Sequence, residues 1–110
     1  MPLKTQQAAI ARLYVPSRCD MKAIDALTAL VGGVTILSGL GEWWDRRMEW
    51  HKEPVLVYEY VIPGRKDVQD LVKSTGKDFL EHNPGEQEFL AVTITSAGTR
   101  SITITRKEAA

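Results

Sequence analysis

The sequence predicts an α+β fold: a ferredoxin-like βαββαβ sandwich with an additional C-terminal strand, formed by residues 1–110 as one domain. Three observations predict it. Residues 21–31 and 65–82 carry apolar side chains at three- and four-residue spacing, which gathers them on one face of a helix. Around them lie short runs rich in Val, Ile, Thr and Tyr, the composition of strands. Pro16, Gly32-Gly33, Pro63-Gly64 and Asn83-Pro84-Gly85 punctuate the boundaries. Right-handed crossovers around two such helices generate the split β-α-β sandwich.

Residues Ala8–Val15 read as the first strand, with Ala9, Ala11, Leu13 and Val15 on one parity, and Pro16 ends it because proline brings no N–H to a ladder. Ser17-Arg18-Cys19-Asp20 has the S-x-x-D form of a helix capping signal. The helix it introduces places Met21, Ile24, Leu27 or Thr28, and Val31 on one face, and Gly32-Gly33 stops it. Val34–Trp44 and Glu53–Ile62 read as the next two strands. In the latter, Val55, Val57 and Val61 share one parity while Leu56, Tyr58, Tyr60 and Ile62 share the other. Both faces of that strand are apolar, so helices on one side leave the second face to be covered by something else. The second helix spans Arg65–His82, with Val68, Leu71, Val72, Thr75 and Phe79 as its stripe, and Gly76 weakening it by about 1 kcal/mol relative to Ala. Glu88–Thr95 and Arg100–Thr105 close the chain as a hairpin around Ser96-Ala97-Gly98-Thr99.

Composition narrows the function classes. Fourteen basic residues balance fourteen acidic ones, which disfavours nucleic acid as a partner, because phosphate neutralisation needs clustered positive charge. Zero net charge also removes the repulsion that keeps small proteins apart, and favours self-association. The single cysteine, Cys19, makes no internal disulfide. No run approaches the ~20 apolar residues of a membrane helix, and the N-terminus lacks a signal-peptide core, so a cytoplasmic protein with no membrane partner is expected.

Chemistry has few places to sit. Residues 41–53 hold all three tryptophans, Trp43, Trp44 and Trp50, interleaved with Arg46, Arg47 and four carboxylates. Aromatic rings beside guanidinium groups stack on flat ligands, or anchor a hairpin in a neighbouring subunit. Adjacent strand residues point to opposite faces, so Trp43 and Trp44 should occupy different environments. Arg65 and Lys66, at the expected start of the second helix, form a candidate anion site with the helix dipole. Cys19 lies near the start of the first helix, where the dipole lowers a thiol pKa, but no base can be placed beside it. His51, His82 and Cys19 have no metal-ligand spacing, and neither a metal nor a cofactor is expected.

Two stretches resemble the CutA and PII-like group of small ferredoxin-like proteins. Trp43-Trp44, followed by Glu53 and Val55-Leu56-Val57, is similar to the aromatic-rich long hairpin of CutA-type proteins. Glu81-His82-Asn83-Pro84-Gly85-Glu86, leading into Phe89-Leu90-Ala91-Val92, is similar to the region before their fourth strand. The resemblance implies a homo-oligomer, with a trimer favoured, that senses small molecules or nucleotides at clefts between subunits. The hairpin tryptophans and His82 are the residues it carries over. The chain departs from that group in lacking a cysteine on its second strand and in its extra C-terminal strand.

These readings lead to a non-enzymatic oligomeric binding or regulatory protein, taking a small anionic or nucleotide-like ligand at subunit clefts through Trp43, Trp44, Arg46, Arg47, Trp50, Arg65 and Lys66. Two alternatives stand beside it: a dimeric ferredoxin-like monooxygenase with an aromatic and histidine-lined pocket, and a protein-interaction module that docks through its tryptophans.

Overall fold

A computed structural model describes residues 8–44, 47–63 and 67–106. Seven elements follow one another: β1 (Ala8–Pro16), α1 (Lys22–Val31), β2 (Thr35–Trp44), β3 (Trp50–Pro63), α2 (Val68–His82), β4 (Glu88–Thr95) and β5 (Gly98–Thr105). The strands form one antiparallel sheet in the order β2-β3-β1-β4-β5. The architecture is thus α+β, with five antiparallel strands and two helices.

The parity of β1 decides where the core lies. Ala9, Ala11, Leu13 and Val15 are buried, and across the ladders they face Ile62, Tyr60 and Tyr58 of β3 and Thr93 and Ala91 of β4. Ile24 and Leu27 of α1 and Val68, Val72, Phe79 and Leu80 of α2 close over that face. Tyr60 ties the layers together. Its ring is fully buried, and its hydroxyl reaches the Ile24 carbonyl (3.3 Å) and the Thr28 hydroxyl (2.9 Å), which meets the need of a buried phenol for partners.

Gly76 is explained by packing rather than by helix propensity. A Cβ at this position would meet the Phe89 ring at 2.4 Å, and Phe89 is only 1% exposed, so the ring has nowhere to retreat. Gly76→Ala is expected to lower stability by up to about 2 kcal/mol, because overpacking of about 1–3 kcal/mol outweighs the gain of about 1 kcal/mol in propensity. Urea unfolding of the variant checks it, and a stabilised protein would refute the contact.

Several boundaries differ from the sequence reading. Ser17 does not cap α1. The Asp20 carboxylate accepts the Lys22 N–H at 2.8 Å, and Asn83 from the far end of α2 bonds the Asp20 backbone on both sides. The helix therefore starts later, at Lys22, and Gly32 ends it in the left-handed conformation at φ 97°. Helix α2 begins at Val68, and Gly64, Arg65 and Lys66 lie outside the described residues. Leu71 sits half-buried at the rim of the stripe, whereas Phe79 is at its centre.

Strand β3 starts at Trp50 rather than Glu53, because its pairing with β2 continues without a break from Thr35↔Glu59 to Trp44↔Trp50. Strand β1 accompanies β3 only as far as Pro16↔Val55. Beyond that pair β2 and β3 run on alone as a two-stranded ribbon, and the molecule measures 60 × 26 × 22 Å.

Candidate functional site

A charged cluster forms where the ribbon leaves the body of the sheet. Strand β1 ends at Pro16, and the chain turns: the Cys19 N–H bonds the Pro16 carbonyl (3.2 Å), and the Ser17 N–H bonds the Pro54 carbonyl of β3 (3.1 Å). That turn presents Arg18 across the sheet edge. Its guanidinium donates through Nη1 to Glu53 of β3, and through Nη2 to Glu86 of the α2–β4 loop at 2.6 Å. The Glu86 and then the Glu53 carboxylates raise the pKa of Arg18, keeping it charged.

The loops that meet here are held from behind. Asn83, itself buried, donates to the Asp20 and Phe79 carbonyls, both at 2.9 Å. Arg106 donates to the carbonyls of Leu80 and Asn83 at the end of α2 and of Glu86 in the loop beyond it, at 2.8–2.9 Å. Backbone and side-chain bonds thus fix the turn and the loop that aim Arg18 and Glu86.

Glu53 lies on the sheet face away from the helices, since it shares parity with Val55, Val57 and Glu59, opposite the buried Tyr58 and Tyr60. On that same face the next pair along the ribbon is Trp43 and His51, whose rings stack at 5.4 Å and 16°. Trp44 and Trp50 sit on the other face, edge to face at 4.8 Å. Trp43 and Trp44 thus lie on opposite faces, as strand alternation requires, and both are exposed, at 41% and 59%. The Trp43 face of the ribbon therefore carries the Trp43–His51 pair and Glu53, whose carboxylate takes the Arg18 guanidinium from the neighbouring turn.

Cys19, beside this cluster, does not behave as the sequence reading allowed. Burial, with the Glu86 charge adding to it, pushes its thiol up to about 11, so the thiolate is scarce at neutral pH. Relative to an ordinary thiol of pKa 9.0, two units make alkylation at pH 8 about a hundredfold slower. Iodoacetamide labelling of the folded protein followed by mass spectrometry measures that rate, and labelling at the rate of a free peptide thiol would contradict the burial.

The other sequence candidates are dispersed. Arg46, Arg65 and Lys66 lie outside the described residues, and Arg47 is exposed in the turn at the ribbon tip. His82 sits in the last turn of α2 with Nδ1 2.8 Å from the Asp78 carbonyl. A shallow depression of about 350 Å³ opens at the C-terminal end of α1, beside Val31, Thr35 and Glu59, but the Glu59 carboxylate is engaged by Arg12 at 2.7 Å. Among the described residues, no group of three or more His, Cys, Asp or Glu side chains is placed to hold a metal ion. No described helix is long and apolar enough to cross a membrane.

Sequence reasoning missed Arg18, Glu53 and Glu86 as a unit. Arg18 lies 35 residues from Glu53 and 68 from Glu86, and no spacing rule links positions so far apart.

Comparison with known proteins gives a structural likeness only. No protein-family model matches the chain, and no curated protein matches it. A phage SAM lyase in complex with S-methyl-5'-thioadenosine superposes with a TM-score of 0.72 at 14% identity, covering 97% of this chain and 96% of that one. A phage SAM lyase in the apo state superposes with a TM-score of 0.70 at 13% identity, with the same coverage. Two expectations are corrected by these matches. The CutA and PII-like resemblance gives way, because degenerate aromatic and Asn-Pro-Gly stretches are compatible with many small sheets and the full-length likeness lies with a different family. The non-enzymatic binding or regulatory reading gives way with it, since both of these structures, alike to this chain end to end, are of an enzyme.

Proposed function

We propose that this chain is an enzyme that cleaves S-adenosylmethionine or a closely similar sulfonium nucleoside, at the junction of ribbon and sheet. What supports the reading is the Arg18–Glu53–Glu86 cluster, whose Glu53 shares a ribbon face with Trp43, in a fold shared over 97% of the chain with a SAM lyase. Such a substrate offers a flat purine, a positive sulfonium, an ammonium and a carboxylate. An aromatic face suits the first, carboxylates the next two, and a guanidinium the last.

The chemistry asks little of the protein beyond this. When the bond between sulfur and the amino-acid side chain breaks, its electron pair goes to sulfur, and the leaving group departs as neutral S-methyl-5'-thioadenosine. No proton has to reach it. The carbon left behind either accepts the substrate's own carboxylate oxygen, giving a lactone, or a neighbouring carbon loses a proton to a base, giving an alkene. Charge is neutralised as the sulfonium becomes a thioether, so groups that hold the substrate bent and partly desolvated speed the reaction by positioning.

Two finer readings accompany the proposal. We infer a ferredoxin-like βαββαβ arrangement with β5 added, supported by the order β2-β3-β1-β4 and by the helices falling between β1 and β2 and between β3 and β4. A substrate made and used inside cells fits a cytoplasmic location.

The deciding experiment is incubation of the purified chain with S-adenosylmethionine, followed by chromatography for S-methyl-5'-thioadenosine. Release above the uncatalysed rate is expected, and identifying the amino-acid product distinguishes lactone from alkene. If no product forms and S-methyl-5'-thioadenosine does not bind by calorimetry, the reading falls.

A further inference from the structure

Strand β5, the additional C-terminal strand, ends beside the loop that carries Glu86. Ile102 and Ile104 are buried under the helices, and alternation puts Arg106 on that same face. The ladder with β4 continues one step beyond Glu88↔Thr105, where the Arg106 N–H donates to the Gln87 carbonyl at 2.9 Å. The side chain of Arg106 is thereby delivered to the end of α2.

There the guanidinium grips backbone at three points. Nε donates to the Glu86 carbonyl at 2.8 Å, and Nη2 to the carbonyls of Leu80 at 2.9 Å and Asn83 at 2.8 Å. The Asn83 carbonyl also accepts the Glu86 N–H at 2.9 Å, so one planar group holds both ends of the turn Asn83-Pro84-Gly85-Glu86. Inside the turn Pro84 brings no N–H and Gly85 no side chain, and both are exposed. Asn83 anchors the near end of the turn to Asp20 and Phe79, and Arg106 ties the far end to the sheet. Carbonyls at a helix C-terminus favour a cation, and the fork of donors needed to span three of them belongs to arginine rather than lysine.

We propose that Arg106 is a positioning residue for the candidate site, fixing the Glu86 backbone so that its carboxylate meets Arg18. The consequence for S-adenosylmethionine cleavage rests on the lyase reading above, whereas the consequence for Glu86 does not. Cys19 serves as an independent reporter of where Glu86 stands. After burial, the Glu86 carboxylate is the largest influence that raises the Cys19 thiol, through its charge and a side-chain hydrogen bond; Glu53 adds to it and Arg18 opposes it.

A double-mutant cycle of Arg106→Ala and Glu86→Gln tests the assignment, read by iodoacetamide alkylation of Cys19 across pH. The wild-type midpoint lies at about 11. Each single variant is expected to lower it, and alkylation at pH 8 rises about tenfold for every unit. The double variant should label as Glu86→Gln alone does, because Arg106 acts on the thiol through Glu86. General loosening of the loop would expose Cys19 whatever stands at position 86, so additive effects would overturn the proposal. Wild-type labelling by either single variant would overturn it too. Arg106→Lys should fall between wild type and Arg106→Ala, and takes the place of Arg106→Ala in the cycle if that variant does not fold. In the same four proteins kcat for S-adenosylmethionine should drop about 10–100-fold in each single variant, with no further drop in the double. Faster labelling with wild-type turnover by Arg106→Ala would show that cleavage does not need Glu86 held there, and the proposal would fall. If the wild type cleaves no S-adenosylmethionine, the lyase reading fails, and the alkylation cycle still decides whether Arg106 places Glu86.

Discussion

Phe79→Ala is expected to destabilise the protein by about 3–5 kcal/mol, the cost of truncating a fully buried aromatic. Phe79 is 1% exposed at the centre of the α2 stripe, and its ring packs tilted on Phe89 at 5.6 Å and 49°. Removing it leaves a void against a second ring that cannot follow. Phe89 is also held by the close approach of Gly76, one turn earlier on α2, so collapse into the space is limited. The loss corresponds to a drop of roughly 12 °C or more in melting temperature for a domain of this size. Leu71→Ala is the internal comparison. The sequence stripe gives Leu71 and Phe79 equal weight, but Leu71 sits at the rim and should cost clearly less. Paired thermal melts check both, and equal effects would mean that α2 is rotated relative to its place here.

That comparison shows what periodicity conveys and what it omits. Alternation on β1 was legible because a strand buried on one face by two helices leaves no freedom in parity; Ala9, Ala11, Leu13 and Val15 are all buried. The C-terminal hairpin and the αL stop at Gly32 were legible for similar local reasons. Gly76 was not, because its reason is the Phe89 ring thirteen positions on, and helix propensity read alone reverses the sign of its effect. Asp20 displaced Ser17 as the helix-start acceptor because Asn83, at the far end of α2, fixes its backbone. The tryptophans all lie in the ribbon, and the parity rule separates Trp43 from Trp44. The charged groups of the candidate site stayed hidden. They come from a turn, a strand and a loop that only the sheet brings together, and none of their residue types is rare enough to stand out.

On the lyase reading proposed above, Arg18→Ala is expected to reduce S-adenosylmethionine cleavage by about 10²–10³-fold while leaving the fold nearly intact. The two effects separate because of where Arg18 lies. Its side chain is 60% exposed, and ion pairs that open to water contribute about 0–1 kcal/mol, so the melting temperature should move by a few degrees at most. Its role in the site is different in kind. Without the guanidinium, Glu53 and Glu86 lose the group that bridges them, and on that reading the substrate loses the cation that meets its carboxylate. Arg18→Lys keeps the charge but not the forked donor set that reaches two carboxylates at once, and should restore only part of the rate. Glu53→Gln tests the other side of the pair: it removes negative charge that favours the sulfonium while preserving shape, and should raise KM for the cationic substrate more than Ki for neutral S-methyl-5'-thioadenosine. A merely structural role for the cluster would move the melting temperature and both constants together. Wild-type turnover by Arg18→Ala, in an enzyme shown to cleave S-adenosylmethionine, would place the reaction elsewhere on the molecule.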